Sequence, residues 1–239
     1  MPNITIQTEG GKLEHKIHAV SNPEKRDHEH HYAGRNLGNP PHPWRMVLCS
    51  RPNRGKSTVL LNIFLQTQQS RKPFEELWVV TPNVESKEYA RLDPTGILTE
   101  VPHVDELNPD NKKVLFIIDD FEIMGMSKQC MANLSSLFRY GSTHKNISCA
   151  IAYQTFFSIP TTIRKCSNIF LIWKTNNITE LKMIAKRVDC DPDVIVELFK
   201  KVVTGAKDSL MVDLTEGTKH KYRLNVFTPI EVNEDEMYD

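Results

Sequence analysis

From residue 44 onward, short unbroken apolar runs alternate with longer segments whose apolar residues recur every three or four positions. The first pattern fits strands buried on both faces, and the second fits one face of a helix. Strands are expected at 45–50, 77–81, around Val114-Leu115-Phe116-Ile117-Ile118, at 147–154 and at 169–173. Helices are expected at 56–69, 128–140, 178–187 and 192–203, with a short turn or helix at 159–165 after Pro160. Pro192 near the start of the last helix and Gly205 beyond its end mark its limits. Strands alternating with helices predict an α/β fold, a central mostly parallel sheet flanked by helices. Segments 210–214 and 222–227 predict a C-terminal β-hairpin around Gly217. Residues 83–111 read as loop-rich, with Pro94, Gly96, Pro102 and Pro109 interrupting any long element, and Gly141 to Asn146 should end the 128–140 helix.

Residues 1–43 follow neither pattern. Segments 3–7 and 13–20 flank Gly10-Gly11 as a small hairpin, and 21–43 is an irregular lead-in rich in His, Asn, Pro and charge. His28, His30 and His31 invite a metal reading, but no Cys or second His pair stands at ligand spacing, which favours a solvated segment. The expected organisation is hairpin and lead-in over 1–43, one α/β domain over 44–230 and an acidic tail over 231–239. That tail carries Glu231, Glu234, Asp235, Glu236 and Asp239, a solvated segment or a docking one.

Composition narrows the partners. The 239 residues hold 30 Lys and Arg against 30 Asp and Glu, so bulk charge does not coat nucleic acid, although a local basic groove is compatible. Cys49, Cys130, Cys149, Cys166 and Cys190 are scattered among apolar neighbours without a C-x-x-C pair, the signature of buried free thiols in a reducing compartment. No run approaches the ~20 apolar residues of a membrane span, and no signal peptide is visible. The expectation is an intracellular soluble protein.

The chemistry concentrates in two stretches. Ser50-Arg51-Pro52-Asn53-Arg54-Gly55-Lys56-Ser57-Thr58 joins the first strand to the first helix in the manner of a phosphate-binding loop. Gly55 permits backbone angles that a side chain forbids, and the amides that follow face an anion from a helix N-terminus. Lys56 would reach the β- and γ-phosphates of ATP and Ser57 would ligate Mg²⁺. Ser50 stands where the motif usually has its first Gly, a small residue compatible with a tight turn. The second stretch is the buried strand that ends in Asp119-Asp120, at the end where ligands bind in such sheets. Asp119 would hold Mg²⁺ through water, and Asp120 would orient or deprotonate the attacking water.

The order loop, strand ending Asp-Asp, strand ending Gln154, then Ile159-Pro160 and Ile163-Arg164 resembles the FtsK–HerA superfamily of ATPases. Within it, residues 44–175 are similar to the small genome-packaging ATPases of poxviruses, giant viruses and virophages. The resemblance implies a P-loop NTPase of the RecA-like, additional-strand type, with an extra strand between the loop strand and the Asp strand. It implies that Gln154 sits between Lys56 and Asp119 and senses the γ-phosphate. Thr143 stands where many viral relatives carry an arginine, so Arg139 and Arg164 are the candidates for a cation supplied to a neighbour's ATP, each also readable as a surface ion pair.

The function these readings imply is an Mg²⁺-dependent ATPase motor that packages double-stranded DNA into viral capsids. It would work as a homo-oligomeric ring, with capsid proteins as further partners and no membrane. Such a protein is virus-encoded and intracellular, in host cytoplasm or virus factory, or carried with the virion. Lys200-Lys201 and Lys219-His220-Lys221 are basic turns that a ring would multiply into a phosphate track. A nucleotide or small-molecule kinase is the alternative, but no Arg cluster of a lid follows Gln154. A non-hydrolysing nucleotide-gated adaptor is the third reading.

Overall fold

The computed structural model describes residues 3–8, 11–16, 39–85, 87–120, 125–175, 177–187, 190–216, 218 and 220–232. The expectations for Gly10, most of the lead-in with His28, His30 and His31, Phe121, Gly217, Lys219, and Glu234, Asp235, Glu236 and Asp239 lie outside them. Strands β1 (Asn3–Thr8) and β2 (Gly11–Lys16) pair antiparallel as a separate two-stranded sheet.

The main domain begins with β3 (Arg45–Cys49) and α1 (Lys56–Gln68). Next come β4 (Glu76–Val80), α2 (Lys87–Ala90), β5 (Gly96–Leu98), α3 (Val104–Leu107) and β6 (Val114–Asp119). Helix α4 (Lys128–Ser136) continues through a π-helical turn, Leu137–Gly141, into α5 (Ser142–His144), and β7 (Ile147–Tyr153) follows. Then come α6 (Thr161–Cys166), β8 (Ile169–Trp173), α7 (Ile178–Arg187), α8 (Pro192–Val202), β9 (Ser209–Asp213), β10 (Tyr222–Leu224) and β11 (Thr228–Ile230).

Nine strands form one sheet in the order β11-β10-β9-β8-β3-β7-β6-β4-β5. The pairs from β8 to β5 are parallel, and β9, β10 and β11 add on antiparallel. Strand β7 therefore separates the loop strand β3 from the Asp strand β6. Alternate residues of each central strand feed opposite cores. Val47, Phe116, Ile118 and Ile151 pack on one face with residues of α4, α6, α7 and α8. Met46, Leu48, Leu115 and Ile117 pack on the other with Leu60, Ile63 and Phe64 of α1. Two covered faces explain why β3, β6, β7 and β8 read as unbroken apolar runs rather than alternating ones.

Some boundaries differ from the sequence expectation. The helix at 128–140 does not stop at Gly141, which is helical at φ −55°. A Cβ there would lie 3.1 Å from both Leu137 and Val104, so this glycine serves close packing rather than termination. Asn146, at φ 54°, makes the reversal instead. Residues 83–111, expected to be loop-rich without a long element, contribute the short helices α2 and α3 and the edge strand β5. The 222–227 strand ends at Leu224, because Asn225 and Val226 take φ 52° and 74° and turn the chain back into β11. The end of the lead-in, 39–43, is buried: His42 Nδ1 lies 2.6 Å from Ser148 Oγ and Nε2 lies 2.8 Å from Asn146 Oδ1.

Candidate active site

Parallel strands put all their C-terminal ends on one edge of the sheet, and β3, β7 and β6 end there side by side. From β3 the chain enters the loop Ser50 to Gly55. Positive φ falls on Asn53 (60°) and Gly55 (98°) and not on Ser50, so nothing in the backbone demands glycine at residue 50. Ser50 is instead tied into the turn, its Oγ donating to Arg51 O at 2.9 Å. At Gly55 a Cβ would meet no atom within 4 Å, so its backbone angle alone calls for glycine. It caps α1 without a side-chain hydrogen bond, and no acidic residue occupies the first turn. The N-terminal amides and dipole of α1 are thus suited to an anion.

Lys56 is buried, and its Nζ donates to Ser50 O at 3.1 Å, arching over the loop. Arg51, Pro52, Asn53 and Thr58 are exposed, and Arg54 donates from Nη1 to Ala206 O at 3.2 Å, linking the loop to the α8–β9 connection. Asp119 shares strand parity with Leu115 and Ile117, which aims it at the α1 face. There Ser57 Oγ donates to Asp119 Oδ2 at 2.7 Å.

The same Oδ2 accepts from the Tyr89 hydroxyl at 2.6 Å. Burial, and then the Asp119 charge, push the Tyr89 hydroxyl well above its ordinary range, so it stays a donor. The other oxygen, Asp119 Oδ1, is buried without a hydrogen-bond partner among the described residues. Ser57 gives away its proton and keeps oxygen lone pairs, and Oδ1 keeps its own. That donor set fits a hydrated Mg²⁺, a hard cation that prefers one or two carboxylates plus waters and phosphates.

Asp120, just after β6, takes a left-handed conformation, φ 51°, and its side chain is exposed. It lines a cleft of about 470 Å³ together with Pro52 of the loop and Tyr153, Gln154 and Thr155 at the exit of β7. The structure thus brings Asp120 and Gln154 to one cleft beside the loop. Neither side chain makes a hydrogen bond to the described residues.

The two arginines lie elsewhere. Arg139 is exposed on the π-helical turn that packs against the start of β7, so about 20 Å of strand separates it from the cleft at the rise of a β-strand. Thr143 bonds back to Arg139 O and Tyr140 O, both at 3.2 Å. Arg164 is half-buried, stacked 5.1 Å above the Phe156 ring, with Nη2 donating to Thr161 Oγ1 at 3.1 Å. Desolvation, then the nearby Arg187, hold its guanidinium below the usual value. Buried Glu180 of α7 accepts from the Phe156 backbone N–H, bracing the turn that follows Gln154.

Sequence reasoning missed Tyr89 and Glu180. Tyr89 sits in a stretch whose prolines signalled loop, and Glu180 sits on an ordinary amphipathic helix; neither has a motif. Lys200 and Lys201, expected as a basic turn, lie exposed in the last turn of α8, with Lys201 4.0 Å from Glu197, while His220 and Lys221 are half-buried, Lys221 5.7 Å from the Tyr222 ring. The described cysteines are free thiols, and burial pushes Cys49 and Cys149 well up, which makes them unreactive.

The chain matches no protein-family model and no curated protein by sequence. Its fold has solved counterparts. The genome packaging NTPase B204 from Sulfolobus turreted icosahedral virus 2, in complex with sulfate, superposes with a TM-score of 0.55 at 15% identity, covering 79% of this chain and 98% of that one. The DNA-packaging ATPase B204 from Sulfolobus turreted icosahedral virus gives 0.56 at 14%, covering 80% and 100%. The pCW3 conjugation coupling protein TcpA, in its monomer form with ATPγS, gives 0.51 at 13%, covering 99% and 68%. The fold shared with these proteins is that of P-loop NTPases, a mixed nine-stranded sheet flanked by helices with antiparallel C-terminal strands, as expected from the sequence.

Proposed function

We propose that this chain is an Mg²⁺-dependent ATPase whose hydrolysis moves double-stranded DNA, in the service of packaging a viral genome into capsids. The observation that carries the reading is the insertion of β7 between β3 and β6, which delivers Gln154 beside the phosphate loop and the Asp119-Asp120 pair. Near-complete coverage of the two B204 chains, described as genome-packaging or DNA-packaging enzymes, supports it further.

In this mechanism the α1 amides and Lys56 bind the β- and γ-phosphates of ATP. Ser57 and Asp119 would hold Mg²⁺, which would supply charge neutralisation to the phosphates. Asp120 takes the proton of the attacking water, and Gln154 reports the γ-phosphate to the turn that Glu180 braces. A cation for the transition state comes from a neighbouring subunit of a homo-oligomeric ring. Arg139, exposed and remote from its own cleft, suits that role better than Arg164, which is engaged within its own chain. DNA contacts fall to exposed basic residues such as Lys200 and Lys201, and capsid proteins are the further partners. The protein acts inside the infected cell, in the cytoplasm or virus factory. Among the described residues no helix is long and apolar enough to cross a membrane.

The test is ATP turnover with and without double-stranded DNA, together with the mass of the assembly. Stimulation by DNA and a closed oligomer are expected. Phosphate transfer to a nucleotide or metabolite would replace this reading with a kinase. Nucleotide binding without turnover in either condition would replace it with a nucleotide-gated adaptor.

A further inference from the structure

We propose that Tyr89 is a positioning residue for the metal site, its hydroxyl fixing the Asp119 carboxylate so that Oδ1 is presented to a hydrated divalent cation. The inference rests on the reading of Ser57 and Asp119 as the holders of that cation.

The geometry is asymmetric. Both donors, Ser57 Oγ at 2.7 Å and Tyr89 OH at 2.6 Å, reach the same oxygen, Oδ2. Oδ1 is also shielded from solvent and accepts no hydrogen bond from the described residues. A carboxylate held by one hydroxyl can swing about its Cβ–Cγ bond and share the donor between its oxygens. Two donors from opposite elements, α1 and α2, remove that freedom.

The hydroxyl also has no packing purpose. Tyr89 is 2% exposed within the apolar core on the α1 face, where a phenylalanine ring would fill the same volume. A hydroxyl is costly to bury unless it is hydrogen-bonded, and here its partner is Asp119. Groups that orient a metal ligand from behind typically contribute ~10–100-fold to metal affinity.

The experiment uses the full chain and Tyr89→Phe, which removes one oxygen and leaves the ring. Mn²⁺ binding in the presence of a non-hydrolysable ATP analogue is followed by electron paramagnetic resonance, and analogue binding in EDTA is followed by fluorescence. The expected result is Mn²⁺ affinity weakened ~10–100-fold, as for other outer-shell partners, with affinity in EDTA unchanged. Unchanged Mn²⁺ affinity in the folded variant overturns the inference. So does an equal loss in EDTA, which would mark a general structural role.

Ser57→Ala and Asp119→Asn separate this inference from the reading beneath it. If they lose Mn²⁺ and Tyr89→Phe does not, the inference fails and the metal site stands. If Asp119→Asn binds Mn²⁺ as the parent does, the metal site itself is wrong. Adding Tyr89→Phe to Asp119→Asn should cost nothing further, because the hydroxyl acts through that carboxylate; an additional loss would place its action elsewhere and overturn the proposal.

Discussion

The two sides of the cleft are built differently. On the α1 side, half-buried Ser57 and buried Asp119 and Tyr89 are joined by two short hydrogen bonds. On the β7 side, Asp120 and Gln154 are exposed and make no hydrogen bond to the described residues. In the function proposed above, the first arrangement would present to a cation an oxygen that is fixed before anything binds. The second leaves the side chains that would act on water and γ-phosphate to be set by the nucleotide and by a neighbour. Binding and chemistry are thus separable in this site, and mutations on the two sides should separate them.

The largest effect should come from the residue that serves both sides. Lys56→Ala should bring hydrolysis to background and weaken ATP binding, with the thermal unfolding midpoint preserved. Full turnover in a folded Lys56→Ala protein would remove this loop from the chemistry.

Next in size is the cation from a neighbour, worth ~10³–10⁵ in turnover where such arginines act in trans. Arg139→Ala should lose activity on that scale. Mixing it with Lys56→Ala subunits should restore part of the activity, because some interfaces then join an intact loop to an intact arginine. Co-assembled mixtures that stay inactive at every ratio would clear Arg139 of a role across the interface.

On the β7 side, Asp120→Asn should lower turnover by ~10²–10⁴, the usual worth of a positioned base, while Mg-ATP affinity holds. A collapse of Mg-ATP affinity in this variant would show that the two sides are not separable.

The smallest expected effect lies behind Gln154. Glu180→Ala leaves the buried Phe156 N–H without its acceptor and should cost ~1–3 kcal/mol of stability in denaturant unfolding. Turnover should fall with it through the loosened turn, while Mn²⁺ affinity on the α1 side stays unchanged.

Much of this was legible because it depends on local order. The strand, turn and helix around residues 45–69 follow from an apolar run, Gly55 and the spacing after it, and the buried run before Asp119 follows from five successive apolar side chains. Where within 141–146 the helix ends was not legible, because a glycine in sequence does not say whether its missing Cβ answers a backbone angle or a neighbour; Val104, 37 positions earlier, decides that. Tyr89 was invisible for a related reason. Its partner lies 30 residues away, and only parallel pairing of β4 with β6 and packing on α1 bring its hydroxyl to Asp119. The sequence by itself determined the loop, the paired carboxylates and the α/β alternation, all written in neighbouring residues. The tertiary structure alone decided the side of the sheet each carboxylate faces, the donors that hold Asp119 and the distance of Arg139 from its own cleft, because strand order and the packing of distant side chains set these.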